Sequence, residues 1–263
     1  MNMDTTVFFQ VPKSANGPTA QQPHKEYRIS SSLLPNSYLQ EHHQGPYQAQ
    51  GDGPKSIILR NTTVEEFDVY MTYLNKKGVK TLSEMERNCP YSLVNTLGRI
   101  IGLNKDPSEL RLTAEAMRND YNHLLSCHML GSTLHDSRFE DAIITRILGM
   151  LRGANGHQSQ FIRLMTKSVV EAIANHYGTN SPLFRVAVKA YARFATLHEL
   201  DQLAFSNYPA SFKCHMMKEL GRLRQTQHLD GAAALDFAIG DCNYHSHTFY
   251  GYCPLRPSDE KTG

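Results

Sequence analysis

No stretch of this 263-residue chain approaches the roughly 18 consecutive apolar residues that a bilayer-spanning helix requires. The N-terminal MNMDTTVFFQ lacks the basic start and apolar core of a secretory leader, so an intracellular location, cytoplasm or nucleus, is expected. Charge of one sign is equally scarce. Lys and Arg number 27 against 25 Asp and Glu, a formal +2 with a sequence pI near 8.2. A field that weak makes neither nucleic acid nor a membrane surface an expected partner. Cysteines are few and odd in number, five spread from Cys89 to Cys253, which fits a reducing compartment better than a disulfide framework. No repeat of fixed period recurs, and this excludes propellers and solenoids.

The chemistry-bearing motifs are also missing. The glycines of GANG at 153–156 follow a helical pattern and lack the Gly-Lys-Ser/Thr ending that holds phosphate and magnesium, so they read as a linker. No Gly-x-Ser-x-Gly elbow occurs to start a serine hydrolase. Cys127-His128 and Cys214-His215 set a nucleophile beside a base, but neighbours on a helix point about 100° apart and do not pair. Core packing for one and exposure for the other is the expected outcome. The carboxylates Glu65, Glu66, Asp136, Glu140 and Asp141 gather in first helical turns, where capping and the helix dipole account for them. The expectation is a non-enzymatic protein without a cofactor loop.

What is present is a 40% hydrophobic chain long enough for a sizeable core. The stretch 56–79, SIILRNTTVEEFDVYMTYLNKKGV, organises its first half. Ile57, Ile58 and Leu59 read as a strand buried on both faces, because three apolar residues in a row leave no solvent side. Thr63 stands three residues ahead of Glu66, the capping-box spacing. Val64, Phe67, Met71 and Leu74 then share one helical stripe that Tyr70 and Tyr73 widen. Lys76, Lys77 and Gly78 supply cations and a left-handed stop.

Upstream, VFFQV at 7–11 and Tyr27, Arg28, Ile29 have strand character, and 33–39 predicts a short helical segment interrupted near Pro35. Residues 82–120 read as an insertion, with Pro107 opening one further helix. Asp120 is expected to cap the next, and Asp136 or Ser137 the one after it. Leu134-His135-Asp136 would join those two into an antiparallel hairpin. Beyond GANGHQ the pattern is helical throughout. Ser181-Pro182 starts a helix with Leu183, Val186, Ala187, Ala190, Tyr191 and Phe194 at strict spacing, and Pro209 starts another with Phe212, Met216, Leu220 and Leu223 inward.

Two strands with a leucine-rich turn, a third strand feeding VEEFDVYMTYLNKKGV, and then HLLSCHMLGSTLHDSRFEDAIITRIL together resemble the BTB/POZ domain, in particular the fungal type. The Tyr73-Leu74 pair before a turn and the helical extension TNSPLFRVAVKAYARF with YPASFKCHMMKEL add to the likeness. One departure is the usual His-Lys pair after the second strand, replaced here by Ser30-Ser31. The resemblance implies an α+β fold, a small sheet capped by helical hairpins and followed by an α-helical extension. It divides the chain into a BTB/POZ-like domain at 1–152, a helical extension at 153–225 and a tail at 226–263. It also implies a protein-interaction module that self-associates or docks a partner. Alternatives are a substrate adaptor for a cullin-type ubiquitin ligase, with the helices of 159–223 as substrate surface, and a transcription-associated regulator with a zinc-binding tail.

The tail carries Cys242, His245, His247 and Cys253 within twelve positions. Thiolate and imidazole suit tetrahedral zinc, and short Cys-x2-His and His-x-His spacings let one loop supply several ligands. The spacing matches no common finger. The alternative is a tail rich in Tyr and His, with Tyr244, Phe249, Tyr250 and Tyr252, that packs on the helices and leaves both cysteines as thiols or a disulfide.

Overall fold

Alternating side chains commit the first two strands to one buried face. In the computed structural model, which describes residues 6–13, 24–35, 38, 56–59, 61–76, 78, 79, 107–152, 157–227 and 244, β1 (Thr6–Pro12) turns Val7, Phe9 and Val11 inward. β2 (His24–Ser30) pairs antiparallel with it, from Thr6 opposite Ser30 to Pro12 opposite His24, and buries Tyr27 and Ile29. β3 (Ser56–Ile58) joins the other side of β1 in parallel, giving the order β2-β1-β3. The described architecture is mixed α+β and mostly helical: a three-stranded sheet and eight α-helices.

The helices are α1 (Val64–Lys76), α2 (Pro107–Thr133), α3 (Ser137–Arg152), α4 (His157–Leu164), α5 (Lys167–Tyr177), α6 (Pro182–Phe194), α7 (Leu197–Phe205) and α8 (Ala210–Gln227). Among the described residues, no helix is long and apolar enough to cross a membrane. The chain separates into two units, Met1–Lys80 with His123–Ile143, and Thr81–Asn122 with Ile144–Gly263.

In the first unit an aromatic ladder runs from the sheet through α1 into the first turn of α3. Tyr38 stacks on Phe9 at 6.0 Å, Phe9 meets Phe67 at 5.3 Å, and Phe67 takes Tyr27 at 4.5 Å and Tyr70 edge-on at 5.8 Å. Tyr70 then meets Phe139 at 5.0 Å. Each such pair adds about 0.5–1.5 kcal/mol beyond the area it buries. The capping box starts α1 as expected: Thr63 N–H donates to Glu66 Oε2 at 2.9 Å and Glu66 N–H to Thr63 Oγ1 at 3.2 Å. Ser30 accepts from Ser32 N–H at the head of the 3-10 turn Ser31–Leu33, so the first serine of the departing pair caps a turn.

Three local expectations change. Ile57 and Leu59 face one way and Ile58 the other, and Ile58 is 51% exposed. A strand at the edge of the described sheet has a second face that three apolar residues in a row do not reveal. Gly78 does not adopt a positive φ; α1 ends at Lys76, with that lysine in its last turn. Asp120 does not start a helix: it is buried inside α2, which begins at Pro107 and runs 27 residues. An interior Asp costs only about 0.7 kcal/mol of helix propensity, so packing overrides the stop signal. The segment around 33–39 is found as expected, helical with a break near Pro35: a 3-10 turn at Ser31–Leu33, then Tyr38 in helical conformation, with Leu34 and Tyr38 buried and Asn36, Ser37 and Leu39 outside the described residues.

The second unit is built on α6, which packs against α4, α5 and α8. Ser181 accepts from Phe184 N–H at 3.3 Å and Pro182 takes the first helical position. Leu183, Phe184, Val186, Ala187, Val188, Ala190 and Tyr191 are all buried. Phe212 of α8 meets Phe184, Tyr191 and Tyr208 at 5.7–6.0 Å. Tyr208 donates to Met165 O at 2.9 Å.

Candidate interaction surfaces

The α2–α3 turn closes the first unit. Asp136 N–H donates to Gly131 O at 2.9 Å and His135 N–H to Ser132 O at 3.1 Å, the paired bonds of a Schellman ending. His135 holds the left-handed position at φ 50. Asp136 is the residue that caps α3, accepting from Phe139 N–H at 3.0 Å, while its other oxygen accepts from the Tyr70 hydroxyl at 3.1 Å. Burial and that carboxylate push the Tyr70 phenol far up, and Tyr73, buried beside it, is pushed up to about 12. Gly131 allows the close crossing here, since a Cβ on it would lie 2.8 Å from Glu140 Cγ and 3.2 Å from Phe139 Cδ1. Burial first, then Asp141 and Asp136, push the Glu140 carboxyl up to about 7.

On the sheet side, Lys25 Nζ donates to both Asp68 oxygens at 2.8 and 3.0 Å, and Tyr27 OH donates to Asp68 Oδ1 at 2.8 Å. These bonds tie β2 to α1. The pair is 40% exposed on each side, so its contribution is within about 1 kcal/mol. β2 and β3 are the outer strands of the described sheet. β2 carries the exposed Glu26 and Arg28, charges that discourage edge pairing, whereas β3 presents Ile58.

Large apolar side chains are also exposed in the second unit: Leu197, Phe205 and Met217. Phe205 is 90% exposed and held in a defined place. α7 opens on a capping box between Thr196 and Glu199, and Lys213 Nζ donates to Ser206 O at 2.6 Å and to Ala204 O at 3.2 Å, clamping the backbone on either side of Phe205. Sequence reading assigned a partner surface to 159–223 without naming these three. The legible signal was phase: at about 100° per residue Phe205 falls nearly opposite the buried Leu203.

The expected division into one packed and one exposed residue holds for Cys214 and His215 only; Cys127 and His128 are both buried, since their stretch of α2 is covered on more than one side. Cys127 is buried, burial pushes its thiol far above the usual range, and its sulfur lies 3.8 Å from His123 Nε2, one turn back. Cys214 is exposed, while the His215 ring packs edge-on against Phe184 at 5.6 Å with Nδ1 2.8 Å from Ser211 O. Among the described residues, no three His, Cys, Asp or Glu side chains gather as a metal would need. Cys242, His245, His247 and Cys253 lie outside the described residues; Tyr244, between the first two, is described and buried. Neither a family model, nor a curated protein, nor a solved structure matches this chain.

Proposed function

We infer that the chain is a non-enzymatic protein-interaction module of BTB/POZ type, which self-associates or docks a partner through its first unit. The observation that carries this reading is β3, an outer strand of the described sheet, three residues long, with Ile58 half exposed on one face and aromatic residues filling the other. An edge strand offers unpaired backbone groups to another chain, and an apolar side chain on it adds burial to the pairing. The order of elements supports the same reading: an antiparallel pair, a short turn, a third strand, a capped helix and then a helical hairpin, as the resemblance implies.

Light scattering of the full chain across a concentration series tests the proposal. Growth of mass with concentration, abolished by Ile58→Lys, is expected. A strict monomer up to about 100 µM, well above the Kd range of specific pairing, removes self-association. A second reading, a substrate adaptor for a cullin scaffold, is favoured by the clamped Phe205 with Leu197 and Met217 on the helical unit. Aromatic side chains in fixed positions are the usual anchors of an interface. Affinity purification of the full chain, scored for a cullin scaffold and repeated with Phe205→Ala, separates the readings: retained scaffold with lost substrate fits the adaptor.

A further inference from the structure

Between α8 and the C-terminus, the single described residue is a buried one. Tyr244 is 1% exposed and ranks among the largest fully buried side chains. The Lys189 ammonium of α6 stands 4.8 Å from the centroid of its ring. A cation at that distance is attracted by the negative face of the π system, and a phenol buried this completely also withdraws its apolar body from water. Lys189 lies one helical turn from both Arg185 and Arg193, so the three form a row of half-buried cations along α6. Nothing in the helical periodicity of the sequence requires an aromatic residue here.

We propose that Tyr244 is an intrachain anchor, whose ring fills an aromatic-accepting slot beside the α6 cation row and ties the chain at that position to the helical unit. The chemistry of the slot selects its occupant. An aliphatic side chain would forfeit the attraction to Lys189, and a cationic one would be repelled by the row. While Tyr244 occupies it, the slot is closed to aromatic side chains from any other chain. The inference is independent of the BTB-type reading, because it concerns only the second unit.

Hydrogen exchange of the full chain, followed by mass spectrometry over 241–247, tests the anchor. Tyr244→Ala should accelerate exchange there by at least about tenfold, since exchange follows the population of the open form. Tyr244→Phe keeps the ring and should exchange more slowly than Tyr244→Ala. Lys189→Met removes the cation while keeping a comparable side chain, and should accelerate exchange by about threefold, the scale of one partly exposed cation–π contact. Amides of α6 and α8 should be unaffected. Parent-like exchange over 241–247 in Tyr244→Ala overturns the proposal. Where Tyr244→Ala also loosens α6 and α8, Lys189→Met decides: parent-like exchange in that variant overturns it too.

Discussion

Replacing Glu140 by Gln should stabilise the protein at alkaline pH and leave it nearly unchanged near pH 5. In the folded chain the Glu140 carboxyl is pushed from 4.5 up to about 7, by burial first and then by Asp141 and Asp136. The folded state therefore holds a proton that the unfolded state has released between those two values. Stability is fullest below pH 4.5, falls as pH rises through 7, and levels off once the folded carboxyl has ionised. At about 1.36 kcal/mol per pKa unit the displacement sets a ceiling near 3 kcal/mol, and partial exposure of Glu140 brings the expected gain of the Gln variant to roughly 1–2 kcal/mol at pH 8. Gln keeps the side-chain length beneath Gly131, so packing changes little. With no Trp in the chain, far-ultraviolet circular dichroism in urea is the suitable probe, at pH 5, 6, 7 and 8. A stability difference between the two proteins that does not change from pH 5 to pH 8, or a Gln variant less stable at pH 8, would refute the reasoning.

Three further outcomes are expected. His135→Gly should raise stability by about 0.5–1 kcal/mol in urea melts, because the left-handed strain it relieves exceeds the backbone entropy that glycine adds to the unfolded chain. Gly131→Ala should lower it by roughly 1–3 kcal/mol, although alanine is the better helix former by up to about 1 kcal/mol; a more stable Ala variant would mean that Phe139 and Glu140 yield to the new methyl. If Cys242, His245, His247 and Cys253 form a zinc site, elemental analysis after gentle purification should find about one equivalent of metal per chain, lost in Cys242→Ser and Cys253→Ser. A metal-free protein assigns the segment to aromatic packing, of which Tyr244 is already an instance.

Where local signals agree with one another, the amino-acid order was enough. Thr63 with Glu66, Ser181 with Pro182 and the stripe from Leu183 to Tyr191 each combine a cap with a matching apolar period, and each is found as read. The alternation of β1 and β2 is equally plain. These features depend on contacts a few residues apart, within reach of a pattern.

Tertiary structure decided what depends on distant partners. Ile58 is exposed because it lies on the face of the described sheet opposite the buried Leu59, a fact about neighbours and not about the residues SII. Asp120 entered the interior of a long helix against its own preference as a cap, because packing outweighs a propensity of a fraction of a kcal/mol. Phe205 and Tyr244 are both aromatic residues in polar surroundings of sequence, yet one is held out in solvent by the Lys213 clamp and the other is buried under Lys189. Composition treats the two alike; burial free energy is earned only where a second surface exists to receive the ring, and that surface is assembled from residues far away in the chain.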